Sequence, residues 1–274
     1  MTPRDQIDEN SQVRFPGGEN ASRMVLVALP DIPLIEPSDD LPAIILAGVA
    51  RAGDRLINGD ILVVAQKIVS KSEDCHADLA AISPSAHATE LAQETGKDPR
   101  MVELILSESS SVVRHRPGVI IVEHRLGFVM ANAGIDTSNV GPTENGERVL
   151  LLPKDPDGSA ANMRRALQDR TGADIAVIIN DSVGRAWRMG TVGTALGAAG
   201  LPVRLDYRGR TDLFGRKLKA TDVGLADQIA SAASLLQGEA DEGRPVVLIK
   251  GLQLDGGSTT GLDMIRDEAD DLFR

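Results

Sequence analysis

The chain has 274 residues, 42% of them apolar, with a formal net charge of −11 and a single cysteine. That length and apolar content build a sizeable core, but one Trp, one Tyr and four Phe leave it aliphatic and without stacking platforms for nucleic-acid bases. The acidic balance argues against nonspecific binding to nucleic acid or anionic membrane, the lone Cys75 excludes an intrachain disulfide and favours a cytoplasmic address, and no apolar run reaches the ~20 residues that span a bilayer.

Residues 1–22 have no apolar signal-peptide core and read as a disordered extension, leaving 23–274 as the folded domain. Residues 24–29 are the first strand, stopped by a proline-stiffened turn at 30–35. Asp39-Asp40-Leu41-Pro42 opens a helix with Ile44, Ile45 and Val49 on its apolar side. After the Asn58-Gly59-Asp60 turn, residues 61–65 form a buried strand that ends at Gln66-Lys67. Residues 68–73 carry two hydroxyls and two charged groups and read either as a surface turn or as a place where Lys67, Ser70 and Lys71 meet anionic oxygens. Helices are predicted over 86–95, ending at Gly96, and over 101–109. A hairpin of 112–116 and 118–125 turns at Pro117-Gly118. Its two histidines lack ligand partners at a zinc spacing and read as structural or surface groups.

Residues 126–131 are apolar and then give way to small residues, Asp136 and Asn139. Small residues let backbone approach a ligand closely; an Asx-type turn is the plainer account of the same polar groups. A turn at 145–147 precedes a strand at 149–153, and a helix capped near Ser159 covers 157–171. Residues 175–179 form the next buried strand. It ends in Asn180-Asp181-Ser182, followed by Arg185, Trp187 and Arg188 in a glycine-spaced segment read as a loop. A carboxylate beside a hydroxyl suits a hard cation, and arginine forks suit phosphate or carboxylate oxygens. Residues 203–210 alternate like a half-exposed strand, 211–218 suggest a hairpin bend, 221–236 are the clearest amphipathic helix, and 245–249 are the last buried strand. Helices alternating with strand pairs point to an α/β or α+β chain with mixed sheets. The P-loop, the dinucleotide-binding glycine fingerprint, the metalloprotease helix and the serine-hydrolase elbow are all absent.

Five phrases carry a resemblance: VAQKIVSK at 64–71, GFVMANAGIDTSN at 127–139, DSVGRAWR at 181–188, DYRG at 206–209 and ADQIASAA at 226–233. Together, in order and over most of the chain from Leu29 onward, they resemble the coenzyme F420:L-glutamate ligase family. The resemblance implies an α+β fold of mixed, largely antiparallel sheets with flanking helices, in a two-lobed protomer of an intertwined homodimer. It implies a GTP-dependent, GDP-forming ligase that attaches L-glutamate to F420-0, with further γ-linked glutamate added by some members. Mg²⁺ or Mn²⁺ would serve as metal and K⁺ as a helper ion. By motif, Asp136, Asp181, Ser182 and Glu239 are the expected metal ligands, and Asp136, Asp181 and Arg185 the expected catalytic groups. The nucleotide would meet Ile32, Pro33, Leu34 and Ile35, then Ser70, Lys71 and Asn139. It would also meet the loop of Gln237, Gly238, Glu239, Ala240, Asp241, Glu242, Gly243 and Arg244. Ser182 stands where members often carry Thr, with the hydroxyl kept.

The bare residues agree with that chemistry. A carboxylate is a poor electrophile; phosphorylation by GTP makes an acyl phosphate, which an amine then displaces. Acidic side chains hold the cations that the phosphates need, and basic ones hold the phosphates themselves. A non-catalytic nucleotide- or deazaflavin-binding protein and a metal-dependent phosphotransferase remain open as alternatives.

Overall fold

The three most apolar runs of the sequence lie side by side as the middle of one sheet. The structure, a computed structural model, describes residues 12–14, 23–140, 147–255 and 257–272. In chain order the elements begin with β1 (Gln12–Arg14), β2 (Val25–Ala28), α1 (Leu41–Arg51), β3 (Ile61–Ala65), α2 (Gln66–Ser72) and β4 (His76–Asp78). They continue with α3 (Ala86–Thr95), α4 (Pro99–Ser107), β5 (Ser109–Arg116), β6 (Val119–His124), β7 (Val129–Ala131), β8 (Arg148–Leu150) and α5 (Pro156–Thr171). The last are β9 (Ala176–Arg185), β10 (Arg188–Ala199), β11 (Arg204–Asp206), β12 (Asp222–Gly224), α6 (Leu225–Gln237), β13 (Val246–Lys250) and β14 (Gln253–Asp255).

The main sheet has the order β10-β9-β3-β13-β2, and β3–β9 is its parallel pair. Strands buried on both faces are apolar throughout, and alternate side chains sort onto opposite sides. Leu62, Val64, Val177 and Ile179 face α1 and α5; Ile61, Val63, Ala176 and Ile178 face α6. Each such Val, Ile or Leu taken out of water contributes about 1.5–3 kcal/mol. A second core joins α3 and α4 to the antiparallel sheet β5-β6-β7, through Leu91, Val102, Ile105, Ile120 and Val122. The chain is therefore mixed α+β with largely antiparallel sheets.

Four sequence expectations change. Residues 66–72 form α2 rather than a turn; its N-cap is Ala65, with no side-chain cap, so no polar start signal marks it. The segment after Ile179 is not a loop: β9 runs on to Arg185 and β10 returns antiparallel beside it, with bulges near Thr191 and Gly197. The bulges and the small residues of β10 disguise the strand. Gly197 is required there, because a Cβ would stand 2.3 Å from the Pro156 carbonyl carbon at the start of α5. Helix α5 is capped by Asp155, whose Oδ1 accepts from Gly158 N at 2.9 Å, rather than near Ser159. Residues 222–224 are a strand, β12, paired with β11, so α6 starts only at Leu225.

Within the expected N-terminal extension, Gln12–Arg14 pair with Gln253–Asp255 as a two-stranded ribbon; residues 1–11 and 15–22 lie outside the described residues. The same holds for Asn145 and Gly146 of the predicted turn. The two hairpin histidines meet carboxylates. His115 lies 3.4 Å from Glu94, and the buried His124 lies 3.6 Å from Glu108. No helix among the described residues is long and apolar enough to cross a membrane.

Candidate functional site

The parallel pairing of β3 with β9 ends at Ala65 opposite Asn180, where β3 stops and β9 runs on. Ligands of open α/β sheets bind outside such carboxyl ends. The antiparallel neighbour β13 begins at the same edge, where Ala65 N donates to Pro245 O at 2.8 Å. The chain leaving β2 is held there too, by Leu29 N to Val246 O at 2.9 Å. Four connections thus meet around a cleft of about 550 Å³.

One wall is the segment Ile32, Pro33, Leu34 and Ile35. Its approach is pinned by Arg51, whose guanidinium donates to Asp31 O at 2.8 Å and Pro30 O at 3.3 Å. Opposite it runs the loop Gly238–Arg244. Gly238 has φ +75°, and a Cβ there would lie 2.1 Å from the Glu242 carboxyl carbon. That carboxylate folds under the turn and accepts from Ala240 N at 2.9 Å, which holds its pKa below the usual range. The loop is anchored at both ends. Asn180 Nδ2 donates to Gln237 Oε1 at 2.8 Å, and Gln237 Nε2 donates back to Asn180 Oδ1 at 3.1 Å. Gln237 Nε2 also reaches Pro245 O at 3.3 Å. Across the cleft Asn139, itself at φ 57°, donates from Nδ2 to Ala240 O at 3.2 Å.

The floor holds the charges. Asp136 is locked into the fold by two backbone bonds to Leu150 of β8, both 2.9 Å. Its Oδ2 accepts from Gln66 Nε2 at 3.1 Å and its Oδ1 faces Lys67 Nζ at 3.2 Å. Burial raises its pKa, and Lys67 opposes that rise. Asp181 keeps part of its surface open to the cleft, but protein packs densely around the carboxyl. Burial, then the charge of Asp136, pushes its pKa up to about 7, while a hydrogen bond from Ser182 N to Oδ1 at 2.8 Å works the other way. Glu239 adds to the same repulsion, so the three acids share one electrostatic field. Lys71 lines the cleft with its pKa lowered by burial, against the pull of Glu36.

Among the described residues no three His, Cys, Asp or Glu side chains converge closely enough to cage a metal. The expected set of Asp136, Asp181 and Glu239 is therefore not a preformed three-acid cage. What remains still fits a hard cation: the Asp136 and Asp181 carboxylates repel one another, and Ser182, next to Asp181 in the chain, also lines the cleft. Mg²⁺ binds through one or two carboxylates, completing its shell with water and phosphate oxygens. Zinc, which takes closed nitrogen and sulfur sets, does not suit these donors.

Three expected residues, Asp136, Ser70 and Arg185, are not among those that line the cleft; Asp136 is held against Gln66 and Lys67, which do line it. Ser70 is fully buried, and its hydroxyl donates to Gln66 Oε1 at 2.9 Å. It braces the amide that holds Asp136. Arg185 lies five residues past Asn180, about 16 Å along an extended strand, and its Nη2 donates to Met189 O at 3.3 Å. The continuation of β9 beyond the end of β3 carries it away. Conversely, Glu36, His76 and Arg148, which no motif singles out, all line the cleft. The last two arrive through the pairing of β4 with β8, three-residue strands with no periodic signal.

The site defines a class: an enzyme with a cleft lined by acidic, basic and amide side chains at the carboxyl edge of a mixed sheet. The chain belongs to the F420-0:Gamma-glutamyl ligase family, whose description matches residues 31–251. It is similar to the coenzyme F420:L-glutamate ligase of Methanothermobacter thermautotrophicus, 45% identical over 254 residues, which cover 91% of this chain and 98% of that protein. The coenzyme F420:L-glutamate ligase of Methanopyrus kandleri is 46% identical over 244 residues, 88% of this chain and 93% of that protein. That of Methanocaldococcus jannaschii is 45% identical over 217 residues, 79% and 85%.

Proposed function

We propose that this chain joins L-glutamate to F420-0, using GTP and releasing GDP through an acyl phosphate. The observation that carries the reading is Asp181 in the cleft lining and Asp136, far apart in sequence, held against the lining residues Gln66 and Lys67 and sharing one field with it. Between them and the loop Gly238–Arg244 there is room for a nucleotide's phosphates. The F420-0 carboxylate attacks the γ-phosphorus, and the bond from phosphorus to the bridging oxygen breaks, leaving GDP. The amine of glutamate then attacks the acyl carbon, the carbon–oxygen bond breaks, phosphate departs and the amine sheds its protons. No covalent enzyme nucleophile is required.

Asp136, Asp181 and Ser182 would hold a divalent cation, Mg²⁺ or Mn²⁺, whose contribution when bound is to screen the phosphate oxygens. The protein's own contributions are separable. Lys67 and Gln66 fix the direction of the Asp136 carboxylate; Lys71 places positive charge beside the anions. The Asn180–Gln237 pair and the Asn139–Ala240 contact hold the nucleotide loop against the floor. A K⁺ ion near Glu239, a homodimer and a cytoplasmic setting belong to the same reading and are supported by the family resemblance.

The test is a mixture of F420-0, L-glutamate, GTP and Mn²⁺. Glutamylated product and GDP are expected in equal amounts. GTP consumption that ignores the amino acid supports a phosphotransferase instead, and nucleotide binding without consumption supports a carrier.

A further inference from the structure

We infer that His76 and Arg148 form the subsite for the side-chain carboxylate of the incoming amino acid, an assignment that rests on the ligase reading above. Both residues line the cleft. Their placement follows from backbone pairing. Asp136 is bridged to Leu150, and Leu150 is paired in turn with His76, while Arg148 is paired with Asp78. Directly opposed residues of antiparallel strands share a face, so Asp136, Leu150, His76 and Arg148 all project from one side. Two strand spacings, about 10 Å of backbone, separate Asp136 from His76, with the fully buried Leu150 as an apolar divider. An amino acid whose amine lies toward Asp136 and Asp181 would lay its far end over that divider.

The two side chains are open to a ligand. Among the described residues Arg148 has one ionic neighbour, Asp74 Oδ1, at 3.6 Å, beyond hydrogen-bond range, and none of them holds the five donors of its guanidinium. His76 has a side chain only 7% exposed, and its Nδ1 lies 3.0 Å from the same Asp74 oxygen. Among the described residues no protein group meets its Nε2. The remaining basic groups of the cleft have other attachments. Lys67 is engaged with Asp136 and Ser138, Lys71 feels Glu36, and Arg244 belongs to the nucleotide loop. The His76–Arg148 pair is thus a second group of donors in the cleft, held by a different pair of strands from those that hold the nucleotide loop.

Its chemistry selects among amino acids. A guanidinium fork matches a carboxylate with two parallel hydrogen bonds. The amide of glutamine would turn an NH₂ group against the same donors and leave one unpaired, and a site built for one polar group rejects the analogue that cannot pair with it.

The variants Arg148→Gln and His76→Gln test this in steady-state ligation with L-glutamate and with L-glutamine. For each variant the KM for L-glutamate should rise about tenfold or more, with the KM for GTP within about twofold of wild type. The preference for L-glutamate over L-glutamine, as a ratio of kcat/KM, should fall about tenfold or more in Arg148→Gln. Arg148→Lys, which keeps charge but loses the fork, should recover part of the glutamate affinity and little of the preference; it also serves if Arg148→Gln fails to fold. A raised KM for GTP or F420-0 with glutamate unaffected would assign the pair to another ligand and overturn the inference. So would an unchanged amino-acid preference. Calorimetric titration with L-glutamate reads the subsite without turnover: a wild type that releases no GDP sinks the ligase reading, whereas equal glutamate binding by wild type and Arg148→Gln, or none by either, sinks this inference.

Discussion

Replacing Gln237 by Leu removes one half of the amide pair that ties the nucleotide loop to the sheet. Asn180 is 3% exposed, and its side chain gives and takes one hydrogen bond, both with Gln237, at 2.8 and 3.1 Å. Leucine leaves a buried donor and a buried acceptor unmet, and each such loss costs about 1–3 kcal/mol. Gln237→Leu should therefore destabilise by roughly 2–4 kcal/mol, or about 5–15 °C in Tm at 2–4 °C per kcal/mol for a chain of this size. Asn180→Leu should cost less, since Gln237 is half-buried and retains Pro245 O at 3.3 Å. The informative molecule is the double variant. With both amides replaced by apolar groups of similar shape, most of the penalty disappears, so its loss should fall below the sum of the single losses by about 1–2 kcal/mol. Urea and thermal melting of the three variants and wild type complete the cycle. Losses that add to within about 0.5 kcal/mol would show the two amides to be independent, and the anchoring argument would fail.

Three further outcomes follow from the geometry. Asp181→Asn should abolish GDP release while leaving Tm at or above that of wild type, because it removes a carboxylate that burial and Asp136 hold in an unfavourable field; a loss of folding would make the residue structural. Asp227 has its pKa raised by burial, against a 2.9 Å hydrogen bond from Ala195 N. The folded acid thus keeps its proton to higher pH than the unfolded one. Stability is fully present below the ordinary carboxylate range and is lost as pH climbs through the raised folded value. Asp227→Asn, which still accepts from Ala195, should flatten that decline in a Tm profile from pH 4 upward. Gly197→Ala drives a methyl to 2.3 Å from the Pro156 backbone and should cost about 3 kcal/mol by separating α5 from β10, read as a drop in urea midpoint; a neutral result would disprove the close approach.

Strands β3, β9 and β13 could be read from sequence because a strand covered on both faces is continuously apolar. Helices α4 and α6 could be read because one stripe faces a core. The hairpin arm of β9 and β10 could not, since Asn180-Asp181-Ser182 and the glycines that follow carry loop composition, and only pairing makes them strands. Helix α2 was hidden by its lack of a polar cap. At the site, Asp136 and Asp181 stand out as acids at the ends of apolar runs; the cleft gathers Asp181 with the 32–35 and 238–244 segments, and Asp136 is tied to its lining through Gln66 and Lys67. Ser70 and Arg185 lie outside the cleft lining for opposite reasons: one faces inward on helix α2, the other rides β9 beyond the end of β3. His76 and Arg148 depend on the β4–β8 register, which no local pattern announces.

The chain's one tryptophan, Trp187, stands in the turn between β9 and β10 with 87% of its surface exposed. Its indole emission therefore comes from a single, water-bathed fluorophore, red-shifted and open to iodide quenching. Anything that covers the turn, whether substrate or a second chain, would shift the spectrum blue without any label being attached.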